Sequence, residues 1–204
     1  MEEFKAKFEG DVFNRLQLFN EELVKWNRKF SFTSIPEHLI FKRLIAPSAW
    51  LGNYLSGQTS QDIVDFGTGF GIPGIPMLIA DNSNKYLLID SHTKKTEFMR
   101  HILRSNILIN KDLCRIQQAR VEEGLWSSPA SILVCRAAGK MEEIATLFQG
   151  KMAKGAVAYF FKGDNTRVEL KKLYSKYPNA SHEIIEVPEF FGNLRIIRLT
   201  GAFY

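Results

Sequence analysis

Asp65-Phe66-Gly67-Thr68-Gly69-Phe70-Gly71-Ile72-Pro73-Gly74-Ile75-Pro76 lies between two short apolar runs, Ile63 to Phe66 and Met77 to Ala80. That order reads as the end of a strand, a tight glycine turn and the start of a helix. Glycines allow positive φ and a close approach of backbone to ligand, while free amides at a helix start favour polar or anionic groups. Pro73 suits the first helical turn, where its missing N–H costs little. A turn of this kind is a cofactor site.

Two cofactors compete for it. Gly69, Gly71 and Gly74 satisfy the dinucleotide pattern G-x-G-x-x-G. Asp65, Gly67 and Gly69 satisfy Asp-x-Gly-x-Gly, which resembles the first motif of S-adenosylmethionine (SAM) methyltransferases. An ionised Asp65 beside the loop suits the sulfonium and α-amino cations of SAM and sits badly next to a pyrophosphate. Asp90 ends the next apolar run, Tyr86 to Ile89, and serves as a ribose-hydroxyl acceptor for either cofactor.

Outward from the loop, apolar runs alternate with helical periodicity at Ile63 to Phe66, Tyr86 to Ile89, Leu113 to Gln118, Ser131 to Cys135 and Val157 to Phe161. This alternation predicts a Rossmann-like, doubly wound, mainly parallel sheet. After Lys171 to Tyr177 the rhythm changes. His182 to Val187 and Arg195 to Thr200 have no helix between them and predict a C-terminal antiparallel hairpin. That ending suits a SAM methyltransferase better than a dehydrogenase with a second nucleotide-binding half.

Upstream, Phe4, Phe8, Val12, Leu16, Phe19, Leu23, Trp26 and Phe30 recur at steps of three or four, the apolar face of one long helix. A second helical stretch from Pro36 to about Leu55 is expected to kink or break at Pro47. Residues 1–60 are thus read as an N-terminal helical cap and residues 61–204 as the SAM-binding core, with the seam at Gly57 to Gln61.

The 204 residues are 45% hydrophobic and 24% charged, an ordinary globular balance. No apolar run reaches the ~18 residues of a membrane span, and the amphipathic start does not read as a signal peptide, so a cytoplasmic protein without membrane contact is expected. Cys114 and Cys135 form no Cys-x-x-Cys pair, and His38, His92, His101 and His182 lack ligand spacing, so no metal is expected. The net charge of +5 permits a nucleic-acid partner.

Several segments carry a family resemblance. Gly67-Thr68-Gly69-Phe70-Gly71-Ile72-Pro73-Gly74-Ile75-Pro76 resembles the loop of the bacterial RsmG family, also called GidB. Lys25-Trp26-Asn27, Leu88-Ile89-Asp90-Ser91 with Lys94, Lys95 and Phe98, Ala119-Arg120-Val121-Glu122-Glu123, Cys135-Arg136-Ala137, Phe161-Lys162-Gly163 and Arg195 agree with it in order. The resemblance implies SAM-dependent methylation of guanine N7 in 16S ribosomal RNA, with the RNA or the small ribosomal subunit as partner; a monomer is expected. It also implies that Gly67 and Ile72 line the SAM site and that Val121 and Glu122 flank the adenine. Arg136 would stand at the end of the fourth strand, in the active-site mouth, close to both cofactor and RNA.

The chain departs from the family at the cap, where Arg43-Leu44-Ile45-Ala46-Pro47-Ser48 replaces Arg-His-x-x-Asp-Ser. The alternatives are a SAM enzyme for a small molecule or protein, and a non-catalytic SAM- or RNA-binding module. N7 of guanine already carries an in-plane lone pair, so alignment rather than a general base is expected to govern the reaction, and no catalytic acid or base is nominated. Arg136, Lys162 and Arg195 are the candidate RNA contacts, Arg being the better partner for phosphate or the O6 and N7 acceptors. Cys135 is read as a small core residue rather than a nucleophile.

Overall fold

The computed structural model describes residues 8, 10–57, 61–81, 83–120 and 129–203. Helix α1 (Asp11–Phe30) follows the apolar stripe, with Leu16, Phe19 and Leu23 completely buried; Phe4 lies outside the described residues. The helix stops at Ser31, whose φ of 51° is left-handed and whose N–H donates to the Asn27 carbonyl. The Asn27 side chain in turn accepts the Thr33 N–H at 2.8 Å. The Lys25-Trp26-Asn27 segment therefore shapes a helix exit: Trp26 packs on Phe98 with ring centroids 5.3 Å apart, Asn27 holds the turn, and Lys25 pairs with Glu22.

The break expected at Pro47 does not occur. Helix α2 (Glu37–Ile40), a π-helical turn (Phe41–Ile45) and helix α3 (Ala46–Leu55) run head to tail. Proline lacks the N–H that an α-helix would send to the Arg43 carbonyl four residues back. The wide turn absorbs this defect: Ala46 N–H reaches back to the Phe41 carbonyl, and Pro47 falls in the first turn of α3.

Seven strands form one sheet in the order β3-β2-β1-β4-β5-β7-β6. They are β1 (Asp62–Phe66), β2 (Lys85–Asp90), β3 (Cys114–Gln118), β4 (Ala130–Arg136), β5 (Met152–Lys162), β6 (Ser181–Ile185) and β7 (Arg195–Thr200). The first five are parallel, and β7 runs antiparallel between β5 and β6. The doubly wound sheet and its terminal hairpin are those expected from the apolar runs. The connecting helices are α4 (Gly74–Ala80), α5 (Thr93–Arg104), α6 (Met141–Phe148) and α7 (Thr166–Lys176).

Alternate strand residues point to opposite faces. Ile63, Leu88, Ile132 and Val134 pack with α1, α3, α4 and α5 in one core; Val64, Ile89, Leu133 and Cys135 pack with α6 and α7 in the other. The N-terminal helices thus share a continuous core with one sheet face. The contact is close where α3 crosses α4, since a side chain on Gly52 would meet the Met77 carbonyl at 2.5 Å. Of the seam expected at Gly57 to Gln61, residues 58–60 lie outside the described residues.

Strand order reverses at β1, with β2 and β3 built outward on one side and β4 and β5 on the other. The carboxyl ends of β1 and β4 therefore open a crevice between them, the place where open α/β sheets receive ligands.

Candidate functional site

The loop from β1 to α4 is tied down from within. The Asp65 carboxyl is wholly buried beneath it; Oδ2 accepts the Thr68 hydroxyl at 2.5 Å and the Gly74 N–H at 2.7 Å, while Oδ1 has no partner among the described residues. The N–H groups of Gly71 and Ile72 both return to the Thr68 carbonyl, at 3.1 and 2.9 Å. Burial pushes the Asp65 pKa up to about 7, against the opposing pull of the Thr68 and Gly74 hydrogen bonds. This corrects the expected picture of a ligand-facing Asp65: its carboxyl is buried and supports the loop from below.

Gly67 is held at φ +66°, and a Cβ there would lie 2.7 Å from the Ala138 Cβ just beyond β4. The loops after β1 and β4 can approach this closely only because residue 67 has no side chain. Gly69 also has positive φ, and its N–H donates to Asp90 Oδ2 at 2.9 Å. Gly71 makes room for the Ile75 side chain, and Ile72 is buried in the core with the cap helices. Of the loop residues expected to line the cofactor site, Gly67 borders the crevice, whereas Ile72 packs beneath it.

The crevice measures about 380 Å³ and is bordered by Gly67, Asp90, Lys95, Ala119, Ala137 and Ala138 among others. Asp90, only 7% exposed, presents the single carboxylate among the described residues of its lining; Oδ1 accepts the His92 N–H at 2.8 Å. A carboxylate at the end of β2, fixed by backbone amides and retaining further lone pairs, fits the hydroxyls of a ribose. The volume falls in the usual range of small-molecule sites, about 300–1,000 Å³. The donor set and the side-chain-free approach at Gly67 are thus compatible with a nucleoside cofactor. Val121 and Glu122, expected beside the adenine, lie outside the described residues.

Arg136 ends β4 but turns away from this crevice toward the cap. Its Nη2 donates to the Arg43 carbonyl, the group that Pro47 leaves without its α-helical donor, and its guanidinium lies 5.2 Å from the centroid of Phe161. Nη1 is buried without a partner among the described residues. Burial draws the pKa down to about 10, so the group stays cationic at neutral pH.

Lys162 is not free for RNA. Its Nζ donates to the Gly139 carbonyl at 2.9 Å and to Glu169 Oε2 at 2.8 Å, and the same Glu169 oxygen accepts the Met141 N–H that opens α6. Its charge is used to pin the β4–α6 loop to α7. Arg195 is exposed and pairs in register with Lys162 across β5 and β7. Cys135 is buried in the sheet core, and burial pushes its thiol well above the ordinary range, which removes it as a thiolate nucleophile.

The basic side chains divide. Lys25, Arg28 and Lys94 are paired with Glu22, Glu37 and Glu97. Lys42 and Arg43 are exposed beside the Arg136 contact and form no ion pair among the described residues. Sequence reasoning missed Thr68, Ala138 and the role of Pro47. The usable signals were a hydroxyl three residues after the buried acid and two alanines directly after Arg136.

Among the described residues no helix is long and apolar enough to cross a membrane, and no group of three or more His, Cys, Asp or Glu could hold a metal. The architecture is similar to that of a SAM-dependent O-methyltransferase from Thermotoga maritima, with a TM-score of 0.56 and 16% identity over 76% of this chain and 64% of that one. In sequence the chain is 30% identical to the ribosomal RNA small subunit methyltransferase G of Idiomarina loihiensis over 86% of its length and 82% of the relative's. It is 31% identical to the same-named protein of Methylococcus capsulatus over 80% and 78% of the two chains. Residues 13–197 match the GidB family model, described as rRNA small subunit methyltransferase G. With the sheet, the glycine crevice and this match over most of its length, the chain belongs to the GidB family.

Proposed function

We propose that the protein transfers a methyl group from SAM to N7 of a guanine in 16S ribosomal RNA, acting as a cytoplasmic monomer on the small ribosomal subunit or its RNA. The observation that carries this reading is the crevice at the β1–β4 switch point in a chain of the GidB family. SAM supplies an electrophilic methyl on a sulfonium. Gly67 and Ala138 shape the close wall, Asp90 accepts hydrogen bonds from the ribose hydroxyls, and Val121 and Glu122 flank the adenine as the family resemblance implies. Asp65 keeps the loop in form without touching the cofactor.

On the cap side, Arg136 ties the Arg43 carbonyl to the end of β4 and so holds the cap's exposed cations in position for the RNA. The guanine nitrogen needs no deprotonation, so the residues contribute orientation and exclusion of water rather than proton transfer. Lys42 and Arg43 beside Arg136 favour a polyanionic substrate over a small neutral one. Arg195 extends this cationic character along the same end of the sheet.

The test is methyl transfer from labelled SAM to purified small subunits that lack the modification, with large subunits as control and Asp90→Ala as the cofactor-site variant. Label confined to small-subunit RNA and lost with Asp90→Ala supports the reading. SAM binding without transfer to either subunit would overturn it.

A further inference from the structure

A second basic groove runs away from the crevice along the other half of the sheet. It lies between α7 and the edge strand β6, encloses about 580 Å³, and is bordered by Arg167, Lys171, Tyr174, His182, Ile184 and Arg195 among others. No carboxylate of the described residues lines it. Arg167, Lys171 and Arg195 are all exposed, and none of them is in an ion pair among the described residues. This differs from the cap, where Lys25 and Arg28 are already paired with glutamates, and from α5, where Lys94 is paired with Glu97.

The position of the groove matters as much as its charge. Arg195 pairs in register with Lys162, the last residue of β5, while Phe161 pairs with Arg136 at the end of β4. Arg167 follows at the first turn of α7. The groove therefore begins at the sheet end that carries the crevice and continues from it past Lys171 toward His182. Its floor is partly apolar: Leu170 is buried there, Ile184 is 48% exposed, and the Tyr174 hydroxyl is hydrogen-bonded to His182 Nδ1, which fixes the ring. Cations along the rim with an aromatic and an aliphatic surface beneath match a sugar–phosphate backbone.

We propose that this α7–β6 groove binds the ribosomal RNA backbone beside the methylated nucleotide, with Arg167, Lys171 and Arg195 facing phosphates. The proposal rests on the ribosomal RNA reading given above. It assigns the groove to docking: it sets RNA affinity and leaves the cofactor site alone.

The test compares native protein with the Arg167→Gln/Lys171→Gln double variant, measuring affinity for protein-free 16S ribosomal RNA across a series of potassium chloride concentrations. SAM titration of both proteins runs in parallel. Two lost phosphate contacts lower the slope of log affinity against log salt by roughly 1.5, at ~0.7–0.9 per contact. RNA affinity falls about tenfold or more in moderate salt, SAM affinity is unchanged, and Lys172→Gln, adjacent in sequence but outside the groove, leaves the RNA slope at the native value. An unchanged slope and affinity in the double variant, with native protein binding normally, would overturn the groove while leaving the functional reading intact. Native protein that neither binds nor methylates the RNA, free or in the small subunit, would overturn both.

Discussion

Replacing Asp65 by Asn tests how the glycine loop is supported. The carboxyl is wholly buried, one oxygen has no partner among the described residues, and burial raises its pKa from 3.8 to about 7. A carboxyl whose pKa is higher in the folded than in the unfolded state binds more protons when folded. Its contribution is fully present below the unfolded pKa and is lost as pH rises toward the folded one. At ~1.4 kcal/mol per unit, the whole window corresponds to about 4 kcal/mol, of which roughly 3 falls between pH 5 and pH 8. Asn keeps a carbonyl oxygen for the Thr68 hydroxyl and Gly74 N–H but does not titrate. Denaturant unfolding of both proteins at several pH values isolates the group, because every other titration cancels in the difference. The native protein should lose about 3 kcal/mol relative to Asp65→Asn between pH 5 and 8. Parallel stability curves over that range would refute the buried, partly unpartnered carboxyl; a relative gain of the native protein with rising pH would show that Asp65 is ionised and satisfied.

Three further outcomes follow from the same contacts. Gly67→Ala must both adopt a left-handed backbone and displace Ala138, so it should lower unfolding stability by about 3 kcal/mol, against about 1 for Gly69→Ala, where a Cβ meets nothing within 4 Å. Equal midpoint shifts for the two would remove the close approach of the β1 and β4 loops as the reason. Arg136→Ala should reduce methyl transfer about 10- to 100-fold, the equivalent of ~1.5–3 kcal/mol for a charged hydrogen bond, with SAM affinity little changed because the side chain faces the cap. A matching loss of SAM affinity would place Arg136 at the cofactor instead. Lys162→Met should destabilise the fold by about 2 kcal/mol by leaving Glu169 unpaired, while RNA affinity stays within twofold; a large RNA-binding defect in a stable variant would restore Lys162 to the substrate surface.

The parts of the fold that repeat were legible. Apolar runs spaced for strands, with helical periodicity between them, gave the parallel sheet, and two late runs without a helix gave the hairpin. The glycine turn and the place of Asp90 at the end of β2 were legible because a strand end and the turn after it are local in sequence. What escaped were properties set by tertiary contact. Pro47 looks like a helix breaker on its own, yet a π turn before it absorbs the missing N–H and Arg136 takes the Arg43 carbonyl it leaves over. Asp65 looks like a ligand group in the motif, but the folded loop closes over it. Lys162 looks like a free cation, and only the arrival of α7 brings Glu169 to it. Each of these depends on residues far apart in the chain.

The central claim is that the crevice between β1 and β4 serves methylation of guanine N7 in the small-subunit RNA. It is tested most directly by incubating unmodified small subunits with SAM and the protein, digesting the 16S RNA, and identifying the methylated nucleoside by mass spectrometry. The expected product is 7-methylguanosine at close to one per RNA, absent when Asp90→Ala protein is used. A methyl group on another base or another atom, or the same yield with Asp90→Ala, would contradict it.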